Sequence, residues 1–421
     1  MKKSGGRRKE EGCGLYPLFL TFLFLLSPIS FLLPPASAQT PPPDPDAEAN
    51  VRFGPLSLKS TIALSNLGID TNVFNQADEE HPQSDFTMTF SPNTDVWLRM
   101  GRTWVTGTIQ VDWVYYNKFA SERSANSTFR IGAQRTFNRL AVNGNARRTS
   151  TRDRPGYEID ARSQRYETSY DGEATLRVMS KTRVGATAWR RRTDFDETAS
   201  FRAASLAEQL NRTSSGSGVV VRHDLTPLTS VSLDVTRERE RFVFSQFRDS
   251  NSTRVLAGVS FQPLALISGT AAVGFRRFTP LPADVPRFRG AVTAVNLSYS
   301  LLGATRFGVQ ANRDIQYSFE FTQPYYLETG IMGTVQQQVF GNFDVLGRAG
   351  TRRLAYADRL GVLVSVSDRT DRVGTIGIGA GYRMGLDKRL GFTLDRQRRT
   401  SSVEGRTYTG LRFGFSLTYE T

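Results

Sequence analysis

Residues 306–321 read RFGVQANRDIQYSFEF. Phe307, Val309, Ala311, Ile315, Tyr317, Phe319 and Phe321 share one parity, and Arg306, Gln310, Asn312, Asp314, Gln316, Ser318 and Glu320 share the other. Side chains along a strand point alternately to opposite faces, so this period writes one apolar face and one polar face. The run is also long. Strands of globular proteins have about five or six residues, whereas a tilted strand needs about 9–11 to cross a hydrocarbon core. Arg313 sits on the apolar parity, where a lipid-facing arginine at the midplane costs roughly 2–4 kcal/mol. It must therefore snorkel near an interface, or the alternation must break there.

The same pattern recurs through the chain. Phe86, Met88, Phe90, Val96 and Leu98 alternate with Asp85, Thr87, Thr89, Asp95 and Arg99, and Val105, Ile109, Val111, Trp113 and Tyr115 with Thr106, Thr108, Gln110 and Asp112. Arg165, Glu167, Asp171, Glu173 and Arg177 oppose Tyr166, Tyr170, Leu176 and Val178, and Ile376, Ile378 and Tyr382 oppose a glycine-rich face ending in Arg383. Connections alternate between short (Gly101-Arg102, Ser180-Lys181, Gly341-Asn342) and long (Gly68 to Ser84, Arg152 to Gln164, Asp194 to Gln209, Pro280 to Arg287). Short turns at one end and longer loops at the other are the pattern of outer-membrane barrels. Trp104, Trp113, Tyr115 and Tyr116 cluster near strand ends, as interfacial girdles do. The uncharged run Val255 to Phe275 has Pro263 in its middle and reads as two strands around a Gln262-Pro263 turn. The reading is all-β: a transmembrane antiparallel up-and-down barrel of about 18 strands, within 16–20, with the stretch Leu354 to Asp371 hardest to divide. Closure satisfies every backbone polar group without water.

Ahead of this pattern, Lys2, Lys3, Arg7, Arg8 and Lys9 precede an apolar run from Leu15 to Leu33, with Ala36 and Ala38 before a cut at Gln39. Residues 1–38 read as a secretory signal peptide, 39–50 as a Pro-rich linker and 51–421 as the barrel. The sole cysteine, Cys13, lies in the signal, so the exported chain holds no disulfide. At the far end Arg412, Gly414, Leu417 and Tyr419 resemble the C-terminal signal read by the outer-membrane assembly machinery, although Glu420 and Thr421 follow the last aromatic. The expected location is the cell outer membrane.

A net charge of +14 first suggests nucleic acid, but the signal holds five basic and two acidic residues, so its removal leaves +11. Nearly all of that is arginine on the polar parity or in outer segments, which argues against a nucleic-acid partner. Candidate lumen-lining residues are Arg99, Arg130, Arg165, Glu167, Glu173, Arg177, Arg306, Asp314, Arg383 and Arg412. Paired, they form ladders that stiffen the wall; unpaired, the arginines favour an anionic solute or polysaccharide. Arginines of the outer segments, as in Arg190-Arg191-Arg192 and Arg237 to Arg241, are placed to meet outer-membrane lipid and lipopolysaccharide phosphates.

No catalytic, cofactor-binding or metal-ligating set emerges. His81 and His223 are the only histidines, and neither has a ligand-spaced companion. His223-Asp224 lies beside the Thr226-Pro227 turn, away from the outer rim that a surface hydrolase would use. No cofactor is expected and the chain does not read as an enzyme.

LSNLGIDTNVFNQ from Leu64 and SDFTMTFSPNTDVWLRMGR from Ser84 resemble the start of the putative β-barrel porin 2 family. The features carrying the likeness are Asp70, Asn72, Val73 and Phe74, then Ser84, Asp85 and Pro92. The resemblance implies an outer-membrane barrel, some relatives being linked with exopolysaccharide production and export, and supplies no catalytic residues. The expected function is a pore, for passive diffusion of small solutes or for the outer-membrane step of exopolysaccharide export. The alternatives are a structural or adhesive barrel with a filled interior, and a secreted soluble β protein binding anionic polymers.

Overall fold

The computed structural model describes residues 49–263, 265–385 and 387–420. The signal peptide and almost all of the linker read from the sequence lie outside these residues. Eighteen strands close into one antiparallel barrel: β1 (Leu56–Asp70), β2 (Asp85–Met100), β3 (Thr103–Tyr116), β4 (Ser124–Thr136), β5 (Leu140–Thr151), β6 (Arg165–Arg177), β7 (Thr182–Phe195), β8 (Arg212–Thr226) and β9 (Thr229–Phe242), then β10 (Ser250–Phe261), β11 (Ile267–Pro280), β12 (Phe288–Leu301), β13 (Thr305–Tyr317), β14 (Tyr325–Gln338), β15 (Phe343–Ala357), β16 (Thr370–Met384), β17 (Lys388–Thr400) and β18 (Tyr408–Glu420). Each pairs with its sequence neighbours, and β18 pairs with β1 to close the ring. The three-residue strand Val51–Phe53 folds back on the start of β1.

Eight tight connections lie at the end that holds the beginning of β1 and the end of β18, and nine longer ones at the other. At the tight end Gly101 and Gly341 have φ of +60° and +49°, conformations that favour glycine in two- to four-residue turns. The pair of strands around Gln262-Pro263 is present as β10 and β11. Residues 358–369 form a loop, which settles the division of the stretch after Leu354.

One face of the wall is apolar and exposed: Ile131, Phe275, Ile331, Ile376, Ile378 and Phe415 all lie more than half exposed. The other parity carries the buried charge, including Glu173, Arg222, Glu238, Asp314 and Arg399. The polar face is therefore the inside. Trp104 and Tyr116 differ from the girdle expected of them. The Arg99 guanidinium lies 5.5 Å from the Trp104 ring centre, Arg162 lies 4.7 Å from that of Tyr116, and both rings share the inward parity. Trp113 does face outward, stacked on Phe90 at 5.6 Å.

β13 also ends earlier than its alternation. Its pairing with β12 stops at Thr293 opposite Arg313, and the Arg313 side chain donates to the Ala291 carbonyl at 3.1 Å and the Thr329 hydroxyl at 3.2 Å. Both readings of Arg313 hold: it lies four residues from the loop end, and the pattern breaks just past it. Ile315 is buried against Phe278, Val285 and Tyr325, and Phe319 packs into a core of loop residues, although their parity matches the lipid face.

At the seam, a bulge between Leu64 and Leu67 on β1 brings Gly68 against Gly414. A Cβ at Gly68 would lie 2.0 Å from the Phe413 carbonyl oxygen and 2.4 Å from the Gly414 Cα. Only glycine admits this backbone approach.

Candidate functional site

The inner wall carries most of its charge in pairs. Arg254 and Arg276, neighbours on β10 and β11, share Glu238 and Asp314, with Arg276 Nη1 2.7 Å from Asp314 and Arg254 Nη2 3.1 Å from Glu238. Arg352 meets Glu328 at 2.7 Å, Arg412 meets Asp70 at 2.7 Å, and Arg222 is bonded to Glu173. Arg399, fully buried, bridges Asp371 at 2.5 Å and Asp160 at 2.9 Å. A buried guanidinium or carboxylate costs several kcal/mol to desolvate, and removing one partner of such a pair costs about 3–5 kcal/mol. These pairs are the wall's cross-strand braces.

Asp160 belongs to the β5–β6 loop, residues 152–164, which turns into the barrel and reaches the opposite wall. Arg154 donates to the Val73 carbonyl at 2.7 Å, and Asn75 donates to Asp160 at 3.1 Å. At the loop's tip Glu158, only 2% exposed, accepts from the Ser318 hydroxyl at 2.6 Å and the Phe319 amide at 3.3 Å. These last residues join β13 to β14, half the ring away from β5. Tyr157 lies under Arg352 at 4.2 Å and gives its carbonyl to Arg399 at 3.0 Å.

The β7–β8 loop supplies the apolar half of the same lid. Its short helix α1 (Leu206–Leu210) is started by Ser205, whose hydroxyl accepts from the Glu208 amide at 3.3 Å. Leu206, Ala207 and Leu210 are buried with Ile159, Phe195, Phe242 and Phe319. Arg248 then ties three loops together, donating to Gln209 at 2.8 Å, to the Ser318 carbonyl at 2.9 Å and to the Glu320 carbonyl at 3.0 Å.

One row of the inner wall differs. Arg130, Arg147, Ser169 and Arg191 are successive cross-strand partners on β4 to β7, all on the inward parity. Arg130 and Arg147 are exposed, and among the described residues none of the three arginines has a salt bridge. Arg147 donates to Thr149 at 3.2 Å, while Asp171 in the row below accepts from Asn145 at 2.8 Å. Like charges one strand apart repel, and a carboxylate or phosphate between them relieves that repulsion through bidentate hydrogen bonds.

The residues singled out from the sequence are spread along the barrel. Arg99, Arg177, Arg306 and Arg383 lie at the tight-turn end; Arg130 and Glu173 lie deeper; Arg165, Glu167, Asp314 and Arg412 lie near the loops, with Arg165 on Glu167 at 2.9 Å. All ten fall on the inward parity. Arg147 and Arg191 escape a reading by parity because each stands in a run of consecutive arginines, where charge marks neither face. His223 bonds Thr182 at 3.0 Å and Asp224 bonds Arg183 at 2.7 Å, a polar pair at a strand end. Among the described residues no cluster of three His, Cys, Asp or Glu is placed to hold a metal.

The family model described as Putative beta-barrel porin 2 matches residues 44–421, and the chain belongs to that family. It is an outer-membrane β-barrel of the porin type. No curated protein matches it. Among solved structures, a BenF-like porin from Pseudomonas fluorescens Pf-5 is 10% identical, with 87% of this chain and 98% of that one covered and a TM-score of 0.48. The outer membrane protein opdK from Pseudomonas aeruginosa is 10% identical, with 87% and 98% covered and a TM-score of 0.45. A bacterial polysaccharide outer membrane secretin is 10% identical, with 86% and 98% covered and a TM-score of 0.35.

Proposed function

We propose that this member of the putative beta-barrel porin 2 family is a passive diffusion pore for small anionic solutes, carboxylates or phosphates, drawn through the lumen by Arg130, Arg147 and Arg191. The observation that carries the reading is the contrast within the wall: most inward arginines, in both halves of the barrel, are locked to acids, and this row is not. Transport then needs no chemistry, only a polar passage whose fixed charge raises the local concentration of one sign of ion. Loops tied across the outer mouth suit small solutes better than a polymer, so passive diffusion is favoured over exopolysaccharide export. The segment 1–38 would direct export and be cleaved.

Zero-current potentials across planar bilayers under a salt gradient test this. Wild-type channels should prefer chloride over potassium, and the triple variant Arg130→Gln/Arg147→Gln/Arg191→Gln should lose that preference while keeping a comparable conductance. Cation preference in the wild type, or an unchanged potential in the variant, would refute the assignment. Absence of any channel activity would favour a structural barrel.

A further inference from the structure

The outward face carries a second population of arginine, gathered near the loop end. Thr293, Arg313, Thr329, Arg353, Arg372 and Thr400 are successive cross-strand partners from β12 to β17. Ser217, Arg237, Thr253, Arg277 and Arg289 form a second such row from β8 to β12. Arg148, Thr168, Arg192, Thr213 and Arg241 form a third from β5 to β9. Parity sets these side chains outward: Arg237 shares the face of Leu233 and Val235, which are 49% and 43% exposed, whereas Glu238, the next residue in sequence, is buried.

Three observations say what such rows can hold. Neighbouring groups in a row stand about 4.8 Å apart, and in each row two arginines flank a donor hydroxyl, at Thr329, Thr253 and Thr168, or stand side by side, at Arg353-Arg372 and Arg277-Arg289, both at the spacing of one phosphate. Acid is scarce there: among the described residues only Arg192 has a close carboxylate, Asp194 at 2.7 Å, with Asp249 reaching 4.0 Å from Arg241. Most arginines of the inner wall, by contrast, are paired. Finally, the rows lie directly above the apolar belt on the same face, and strands of 12 to 16 residues exceed the roughly 9–11 that cross hydrocarbon, so their outer rungs stand at headgroup depth. The arc from β2 to β4 lacks the motif, carrying Phe86, Phe90, Trp113 and Phe129 outward instead.

We propose that these rows bind the phosphate groups of a phosphorylated glycolipid in the external leaflet, along the arc from β5 to β17 and not along β2 to β4. An amphiphile is the fitting occupant because its acyl chains meet the apolar belt while its phosphates meet the arginines. Each basic residue near an anionic lipid surface contributes about a factor of five in binding, so three neutral substitutions cost about a hundredfold.

The full-length protein, reconstituted in phosphatidylcholine vesicles doped with bisphosphorylated lipid A, fully dephosphorylated lipid A or phosphatidylglycerol, is titrated and its unfolding temperature read from the gel-mobility shift. The bisphosphorylated lipid should raise that temperature, and the other two, like inorganic phosphate in plain vesicles, should not. Arg237→Gln/Arg277→Gln/Arg289→Gln should need about a hundredfold more lipid, and the matching lysine variant an intermediate amount. Equal stabilisation by dephosphorylated lipid A, by phosphatidylglycerol or by inorganic phosphate, or a glutamine variant that responds like wild type, overturns the proposal. If the glutamine variant does not fold, the wild-type lipid comparison and the lysine variant decide.

Discussion

Glu158 is where the β5–β6 loop is fastened to the far wall, and Glu158→Ala should loosen the lid. The residue accepts from the Ser318 hydroxyl and the Phe319 amide. Hydrogen bonds to the carboxyl in the neutral form that burial favours contribute about 0.5–1.5 kcal/mol each, so the two together contribute about 2 kcal/mol. A net loss of about 2 kcal/mol multiplies the undocked-to-docked ratio roughly 30-fold. Burial outweighs the Ser318 hydrogen bond and the positive charge of Arg406 and Arg369, so the docked Glu158 carboxyl has a raised pKa. An acid whose pKa is higher docked than free takes up a proton on docking. The loop is therefore held fully below the ordinary carboxylate range and loosens as pH rises through the raised docked value. In single-channel recordings the wild type should open more as pH rises, Glu158→Ala should be open far more often at low pH, and Glu158→Gln should stay docked with no such pH response. A wild type that closes with rising pH, or a Glu158→Ala channel indistinguishable from wild type throughout, would refute the fastening.

Gly68→Val at the seam should block ring closure, because its Cβ would lie 2.0 Å from a backbone oxygen that cannot yield. The heat-modifiable band on detergent gels should be lost, and a normally folded variant would contradict the close approach. Arg313→Leu should change the unfolding free energy by no more than about 1 kcal/mol, since the residue lies at the rim and not at the midplane, where removing a lipid-facing arginine gains roughly 2–4 kcal/mol. Urea unfolding in lipid measures the difference.

The barrel was legible in the sequence because lipid imposes strict alternation and enough length on every strand. Both cues survive in runs such as Phe307 to Ala311 and Leu411 to Tyr419. They fail where lipid stops acting. Ile315 and Phe319 keep the apolar parity, yet loops bury them, and alternation cannot distinguish a lipid from a loop as the apolar neighbour. Trp104 and Tyr116 show the converse, since an aromatic ring can stack under a lumenal arginine as readily as lie in an interface. The docking of Glu158 against Ser318 joins residues far apart in the chain with no repeat or spacing to announce it. Arg147 and Arg191 were hidden by their arginine neighbours, and only strand register separates the inward member from the outward one.

The pairing of β1 with β18 also sets the order of events during assembly. On the edge of β1 that β2 leaves free, residues 61–70 find their partners only among residues 412–420, so that edge of the first strand made is among the last to be satisfied. Until the terminal strand arrives, two long edges stand open, each a template for the wrong partner. Bringing such distant segments together incurs loop-closure entropy before any contact repays it, which makes the final step slow. The growing sheet therefore needs its edges shielded for nearly the whole of its synthesis and export. A truncation of only the last dozen residues should leave an aggregation-prone ribbon rather than a slightly smaller pore.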